Sequence, residues 1–239
     1  MSDATGGVAD DLAPDGVLRA AINLGNPVLA QGTPTAPAGV TVDIAREVGA
    51  RLGLPVELAC FDAARDSFAA VTTGRAGIAF LGIEPARAGQ IAFTAPYVLI
   101  EGVYLVPAQS PVAAVEDVDR PGVRIGVKRG SAYDLFLTRT LRHATVVRGS
   151  EGTAEFLTGN LEAAAGVREP MTEFARTHPG VRLVEGRFME IRQAVGTASS
   201  KRQETVSFLH ALVEELKSSG FVAASLRRSG QTAPVAPPG

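Results

Sequence analysis

The chain has little of what most chemistry-bearing proteins display. It has one cysteine, Cys60, so it can form no internal disulfide and no cysteine-based zinc site. Its three histidines, His143, His178 and His210, are widely separated, and no HExxH or Cys/His cluster occurs, so no metal or other cofactor is expected. Tryptophan is absent and aromatics make up 5% of residues, which argues against stacking platforms for bases or sugars. Lys and Arg number 23 against 25 Asp and Glu, so no basic excess exists to neutralise a phosphate backbone and nucleic acid is not an expected partner. No apolar run reaches the ~18 residues of a membrane span, because the longest candidate, Tyr97 to Pro107, is broken by Glu101, and no membrane insertion is expected. GxSxG, SxxK and GxxxxGK[ST] are all missing, which leaves nucleophilic and nucleotide-hydrolysing chemistry unsupported.

What is present is an ordinary globular composition over 239 residues, 46% apolar and 20% charged. Met1 to Gly16 carries four aspartates and no Lys or Arg, unlike the basic start of an export signal, and it reads as a loose arm. A cytoplasmic location is therefore expected of the chain as written, with a periplasmic one the alternative if a leader has been removed. Beyond the arm, strands and helices alternate. Gly16–Leu24 reads as a strand. Thr41 can cap a helix whose apolar residues Ile44, Ala45, Val48 and Leu52 recur at threes and fours and which Gly53 ends. Strands are expected at Leu54–Phe61, Gly77–Gly82, Val123–Val127, Thr145–Arg148, Glu162–Val167 and Val181–Glu185, with helices between them and a final helix over Arg202 to Leu216. Ser229–Gly239, with three prolines, is expected to be disordered. Alternation of this kind implies an α/β protein with mainly parallel sheets. Two longer extended runs, Val98–Val106 and Arg187–Thr197, suggest a chain that leaves one lobe and later returns. The expected division is residues 1–105 plus 193–239 for lobe 1 and 106–192 for lobe 2.

Several segments then occur in a telling order: Leu18–Asn23; Gly39-Val40-Thr41-Val42-Asp43-Ile44; Gly74-Arg75-Ala76-Gly77-Ile78-Ala79; Pro85-Ala86-Arg87 with Ile91-Ala92-Phe93-Thr94-Ala95-Pro96-Tyr97; and Gly126-Val127 with Gly130-Ser131. Over about residues 16 to 228 the chain resembles the amino-acid-type bacterial extracellular solute-binding proteins, family 3. The resemblance implies a two-lobed type II periplasmic-binding-protein-like fold, each lobe a mainly parallel sheet flanked by helices, joined by two crossing strands. It implies a binding protein rather than an enzyme, one that clamps a small carboxylate such as an amino acid in the interlobe cleft. An ABC permease is the implied partner if the chain is exported. The alternatives are a dehydratase- or lyase-type enzyme on the same scaffold, similar to cyclohexadienyl dehydratase, and a cytoplasmic ligand sensor.

The same resemblance nominates the site. Arg87 stands six residues before Phe93, where the family places the arginine that holds the ligand carboxylate, and a planar guanidinium fork suits that anion. Gly82 and Glu84 replace the hydroxyl residues the family carries there, so Gly82 can offer only its backbone and Glu84 adds a carboxylate beside the anion pocket. Phe80 is a candidate ligand contact or a core aromatic. Gly130 and Ser131 open a helix, where free N–H groups attract anions and where Ser131 also suits simple capping. Glu169 is the candidate partner of a ligand ammonium, with Arg168 as a possible holder of a second acid, and Asn26 offers a small polar edge in the first loop. Cys60, inside an apolar strand, is expected to be a buried and inert thiol.

Overall fold

The computed structural model describes residues 2–239, with side chains described from Gly6 onward, so Met1 lies outside the described residues. The chain forms two compact units: the residues up to Leu99 together with Arg192–Gly239, and Ile100–Ile191.

The first unit begins with α1 (Ser2–Leu12), β1 (Leu18–Asn23), a small hairpin of β2 (Gln31–Thr33) and β3 (Ala36–Ala38), and α2 (Val40–Leu52). It continues through β4 (Val56–Phe61), α3 (Ala64–Thr72), β5 (Ile78–Gly82), α4 (Pro85–Ala88) and the start of β6 (Ile91–Pro107). β1 lies between β4 and β5 and pairs parallel with both. The apolar run of β5 is buried at every position, as a strand covered on both faces must be, whereas the edge strand β4 is only partly buried. Cys60 lies on that edge, so its thiol is half-buried rather than buried as expected, and burial raises its pKa. α2 buries Thr41, Ile44, Ala45 and Val48 along one stripe and ends at Gly53, whose left-handed φ of 67° a side chain would resist. Its N-cap is Gly39, not Thr41. Thr41 is buried in the first turn, and its hydroxyl donates to the Leu29 carbonyl at 3.2 Å, tying the preceding loop to the helix.

β6 carries the chain into the second unit. There follow β7 (Arg124–Lys128), α5 (Ala132–Thr140), β8 (Thr145–Gly149), α6 (Gly152–Thr158), β9 (Ala163–Val167), α7 (Arg168–Thr177), β10 (Val181–Leu183) and the start of β11 (Met189–Ala198). Within this unit the strand order is β10-β6-β9-β7-β8, with β9, β7 and β8 parallel. Side chains of successive strand residues alternate between faces. Tyr104, Val106, Ile125, Val127, Ala163 and Ala165 accordingly join one apolar cluster, while Val103, Leu105 and Ala164 join another with Phe156 and Met171. Both faces are covered, which is why these strands read as unbroken apolar runs. Gly126 permits the close approach of α6, since a Cβ there would sit 2.3 Å from the Gly152 carbonyl oxygen.

β11 returns to the first unit, where it pairs antiparallel with β5, and α8 (Gln203–Ser218) and α9 (Phe221–Arg228) complete it. Two expectations are corrected here. Within the described residues the N-terminal segment is not a loose arm. Val8, Leu12 and Ala13 are buried, and the Asp11 carboxylate receives the Thr205 hydroxyl at 2.6 Å and the Arg202 N–H at 3.0 Å. Those groups sit at the N-terminus of α8, where a carboxylate is favoured by unpaired N–H groups and by the helix dipole. Nor is the C-terminal tail free. Val235 bridges Val98 in antiparallel fashion, Leu99 N–H donates to the Pro234 carbonyl at 3.0 Å, and Ala233 and Ala236 are buried.

Candidate functional site

In a parallel sheet the strand C-termini share one edge, and loops leaving that edge are the usual place for ligand groups. In the first unit the in-register pairing of β1 with β4 and β5 sets Asn23, Phe61 and Gly82 along such an edge. The loop after β1 holds Asn26, whose carbonyl accepts the N–H groups of Leu29 and Ala30 at 3.0 Å each. The loop after β5 is short. Ile83 N–H donates to the Arg192 carbonyl at 2.9 Å, Glu84 is the N-cap of α4, and Pro85 occupies the first helical position, where its missing N–H costs nothing.

Arg87 follows within that single turn. It is 3% exposed, its backbone N–H donates to the Glu84 carbonyl at 2.9 Å, and its Nη1 donates to the Gly82 carbonyl at 2.9 Å. Gly82 therefore serves Arg87 as a backbone acceptor, a different role from that of a hydroxyl donating to a ligand carboxylate. Burial pulls the guanidinium down to about 10 and the negative charge of Glu84 opposes that fall, so Arg87 remains a cation at neutral pH. Glu84 is itself 3% exposed. Phe80 is a core aromatic, 3% exposed and edge-on to Tyr97 at a centroid distance of 6.1 Å.

The second unit has a corresponding edge at Lys128, Gly149 and Val167. Gly130 N–H donates to Asp134 Oδ2 at 2.8 Å, and Asp134 N–H donates to Ser131 Oγ at 3.0 Å. The capping reading of Gly130 and Ser131 is thus realised, with Asp134 as the anion at this helix N-terminus and Arg148 held on its other oxygen at 2.8 Å. Arg168 is engaged as well: it donates to Glu101 and, through Nη2, to the Gly186 carbonyl at 2.7 Å. Glu101 also accepts Arg187 at 2.7 Å, and these bonds, led by that from Arg187, hold its carboxyl below the ordinary range despite burial. Glu169 lies in the first turn of α7, a favourable place for a carboxylate.

Among the described residues, the buried side-chain polar atoms without a hydrogen-bond partner are Asn26 Oδ1, Ser67 Oγ, Tyr97 Oη and Glu169 Oε2. Orphaned polar atoms of this kind are uncommon and call for an explanation. Asn26 and Glu169 are residues the sequence singles out for ligand binding. Sequence reasoning overlooked Tyr97, which follows Pro96 at the end of the family-like segment, and Lys128. Lys128 is buried at the end of β7 and bonds Glu151 at 2.5 Å; its signal is a lone cation closing an apolar strand. Among the described residues no group of three or more His, Cys, Asp or Glu side chains could hold a metal ion, and no helix is long and apolar enough to cross a membrane.

Two α/β units with strand-end edges of this composition define a small-solute-binding protein of the two-lobed type II periplasmic-binding class. The chain belongs to the bacterial extracellular solute-binding proteins, family 3, whose model matches residues 18–230. Its fold is similar to that of a mutant of ArgBP from T. maritima, at 19% identity with a TM-score of 0.77 over 93% of this chain and 99% of that one. It is also similar to the amino acid ABC transporter substrate-binding protein AbpA from Streptococcus pneumoniae bound to L-arginine, at 17% identity with a TM-score of 0.76 over 92% and 97% of the two chains. A third similar structure is the ancestral amino acid-binding protein AncCDT-1, a precursor of cyclohexadienyl dehydratase, at 18% identity with a TM-score of 0.73 over 92% and 98%. No curated protein matches by sequence. Family and structural neighbours are thus mostly binding proteins.

Proposed function

We propose that this solute-binding protein takes an amino acid or a closely related small organic acid, holds the ligand carboxylate with Arg87, and performs no chemical step on it. The observation that carries the reading is a buried guanidinium at the C-terminal end of β5, fixed by the Gly82 carbonyl and still charged at neutral pH. An Arg fork recognises a carboxylate bidentately, and a desolvated setting strengthens that contact. In the second unit, the unpartnered Glu169 Oε2 suits a cationic group. The neighbour bound to L-arginine and another complexed with lysine, from Wolinella succinogenes, support an amino acid as the ligand class. Neighbours described as ABC transporter substrate-binding proteins support a permease as the downstream partner.

The test is a thermal-shift screen over the twenty L-amino acids, followed by calorimetry on the best binder. A ligand at a hundred times its Kd adds ~2.7 kcal/mol of stability. Arg87→Ala should then weaken binding at least about a hundredfold, because truncating one partner of a buried charge pair costs ~3–5 kcal/mol. No shift with any of the twenty at millimolar concentration, or a change below about threefold in Arg87→Ala with the fold intact, refutes the reading. Turnover of prephenate or arogenate that disappears in Glu169→Gln would replace it with the dehydratase alternative.

A further inference from the structure

We propose that the first unit carries a second ligand site, a cleft at the N-terminal ends of β1 and β5 that takes a small carboxylic acid with an apolar body. The cleft encloses about 300 Å³. It lies among Leu12 and Ala13 at the end of α1, Val17 and Arg19 at the start of β1, and the segment from Gly74 to Gly77 that leads into β5. Two glycines shape it. Gly74 turns the chain with a left-handed φ of 74°, and Gly77 lets β5 begin directly against α1, since a Cβ there would sit 2.4 Å from the Leu12 carbonyl oxygen. Asn23 and Gly82 close the same two strands at the other edge, about 16 Å away along the six residues of β1. The cleft is therefore separate from the solute-binding edge, and the inference is independent of the proposed function.

The lining sets the ligand class. Leu12, Ala13 and Ala76, each 3–4% exposed, form an apolar floor, and the charged groups around it are Asp15, Arg19 and Arg75. Asp15 is already matched: its Oδ2 accepts Arg19 Nη1 at 2.7 Å, and Arg19 Nε also meets Glu57 at 3.2 Å. Arg75 differs. Its Nε donates to Thr73 Oγ1 at 3.2 Å, a bond that orients the guanidinium without neutralising it, and it forms no ion pair among the described residues. The carbonyls that end α1, which would repel an anion, are engaged: those of Ala9 and Ala13 accept the N–H groups of Ala13 and Gly16 at 2.8 Å each, and that of Asp11 accepts Lys201 Nζ. An apolar floor with a few polar groups, in a volume at the small end of the usual range of about 300–1,000 Å³, is the composition of a small-molecule site. A carboxylate matches the Nη edge of a guanidinium, and a hydrocarbon body covers the floor. An inorganic anion leaves that floor wet, and a neutral ligand leaves Arg75 unmatched.

The test titrates nitrogen-15-labelled protein with hexanoate and follows the amides of Gly74 and Gly77 and the Nε–H of Arg75, assigned by its loss in Arg75→Gln. Hexanoate should shift these resonances saturably. Hexanamide, of the same shape without the charge, should bind at least about tenfold more weakly. Arg75→Gln should weaken hexanoate binding to about the same degree, read at the two glycine amides; the side chain is exposed, so the variant keeps the fold. Inorganic phosphate, a charge without a hydrocarbon body, should bind more weakly than hexanoate. The inference is overturned by no saturable movement at Gly74 and Gly77, by equal affinity for hexanoate and hexanamide, or by equal affinity in wild type and Arg75→Gln. Phosphate binding as tightly as hexanoate overturns the ligand class. If hexanoate moves only amides near Asn23 and Gly82, the cleft is no ligand site, and the proposed function is untouched.

Discussion

Electrostatic coupling between Glu84 and Arg87 can be measured without any ligand, by a double-mutant cycle on stability. Arg87→Met removes the charge while keeping most of the volume, and Glu84→Gln does the same for the carboxylate. Each single variant leaves one buried charge without the field of the other, and with both residues 3% exposed solvent can do little to compensate, so each should cost roughly 3 kcal/mol or more. The double variant leaves no such charge. It loses the bond from Arg87 Nη1 to the Gly82 carbonyl, but so does Arg87→Met alone, so that loss cancels in the cycle. The two single costs should therefore exceed the double cost by roughly 1–3 kcal/mol, the range found for groups in direct contact. Urea denaturation of the four proteins at pH 7, compared at constant m-value, measures the difference. Additivity within about 0.5 kcal/mol would refute the reasoning, because it would mean that neither charge depends on the other.

Two further outcomes follow from groups away from the binding edges. Glu162 accepts two guanidinium bonds and one backbone bond from Arg124, each at 2.9 Å, and these hold its carboxyl at about 2, below its ordinary 4.5. A carboxylate with a lowered folded-state pKa contributes stability that is full above about pH 4.5 and lost as pH falls toward 2; denaturation between pH 6 and 3 should show that loss, with a shallower decline in Glu162→Gln. Asp11→Ala removes the acceptor for the Thr205 hydroxyl and the Arg202 N–H at the start of α8, and should cost about 1–2 kcal/mol, read as a fall of roughly 2–8 °C in Tm.

The alternation of β-strands and α-helices was legible because local pattern and tertiary packing agree. The buried stripe of α2 follows its helical spacing, Gly53 stops it with a left-handed φ, and the strands of the second unit are apolar at successive positions because both sheet faces are covered. What escaped depends on partners far away in sequence. An acidic, Gly/Ala-rich segment gives no helix signal, and α1 owes its place to Asp11 meeting residues near 202. The proline-rich tail reads as disorder until its backbone is seen to pair with β6 near Val98. Thr41 has the right chemistry for a cap but lies inside the first turn, where its hydroxyl serves the Leu29 carbonyl. For the candidate site, motif spacing nominated Arg87, Asn26 and Glu169. The burial of Glu84 and the internal engagement of Gly130, Ser131 and Arg168 are properties of packing, which spacing does not encode.

The charged groups of the two edges share a pattern that bears on how binding selects. Lys128 bonds Glu151, Asp134 takes both Arg148 and the Gly130 N–H, and Glu101 takes both Arg168 and Arg187. Arg87 feels the charge of Glu84. An edge built this way does not attract a ligand by an uncompensated field, in keeping with a net charge of only −2 over the chain. On the proposed function, recognition at such an edge would come from exchange: a ligand group replaces an internal partner, and the displaced group finds an equivalent on the ligand. Because each exchange is nearly neutral in charge, affinity depends on geometric match more than on total charge, and a ligand carrying one charge without its complement leaves a buried group unpaired. Asn26 Oδ1 and Glu169 Oε2 differ from this set in having no hydrogen bond to give up. A ligand donor that reaches either atom satisfies it without breaking an internal bond, adding the ~0.5–1.5 kcal/mol of an ordinary hydrogen bond to what Arg87 contributes.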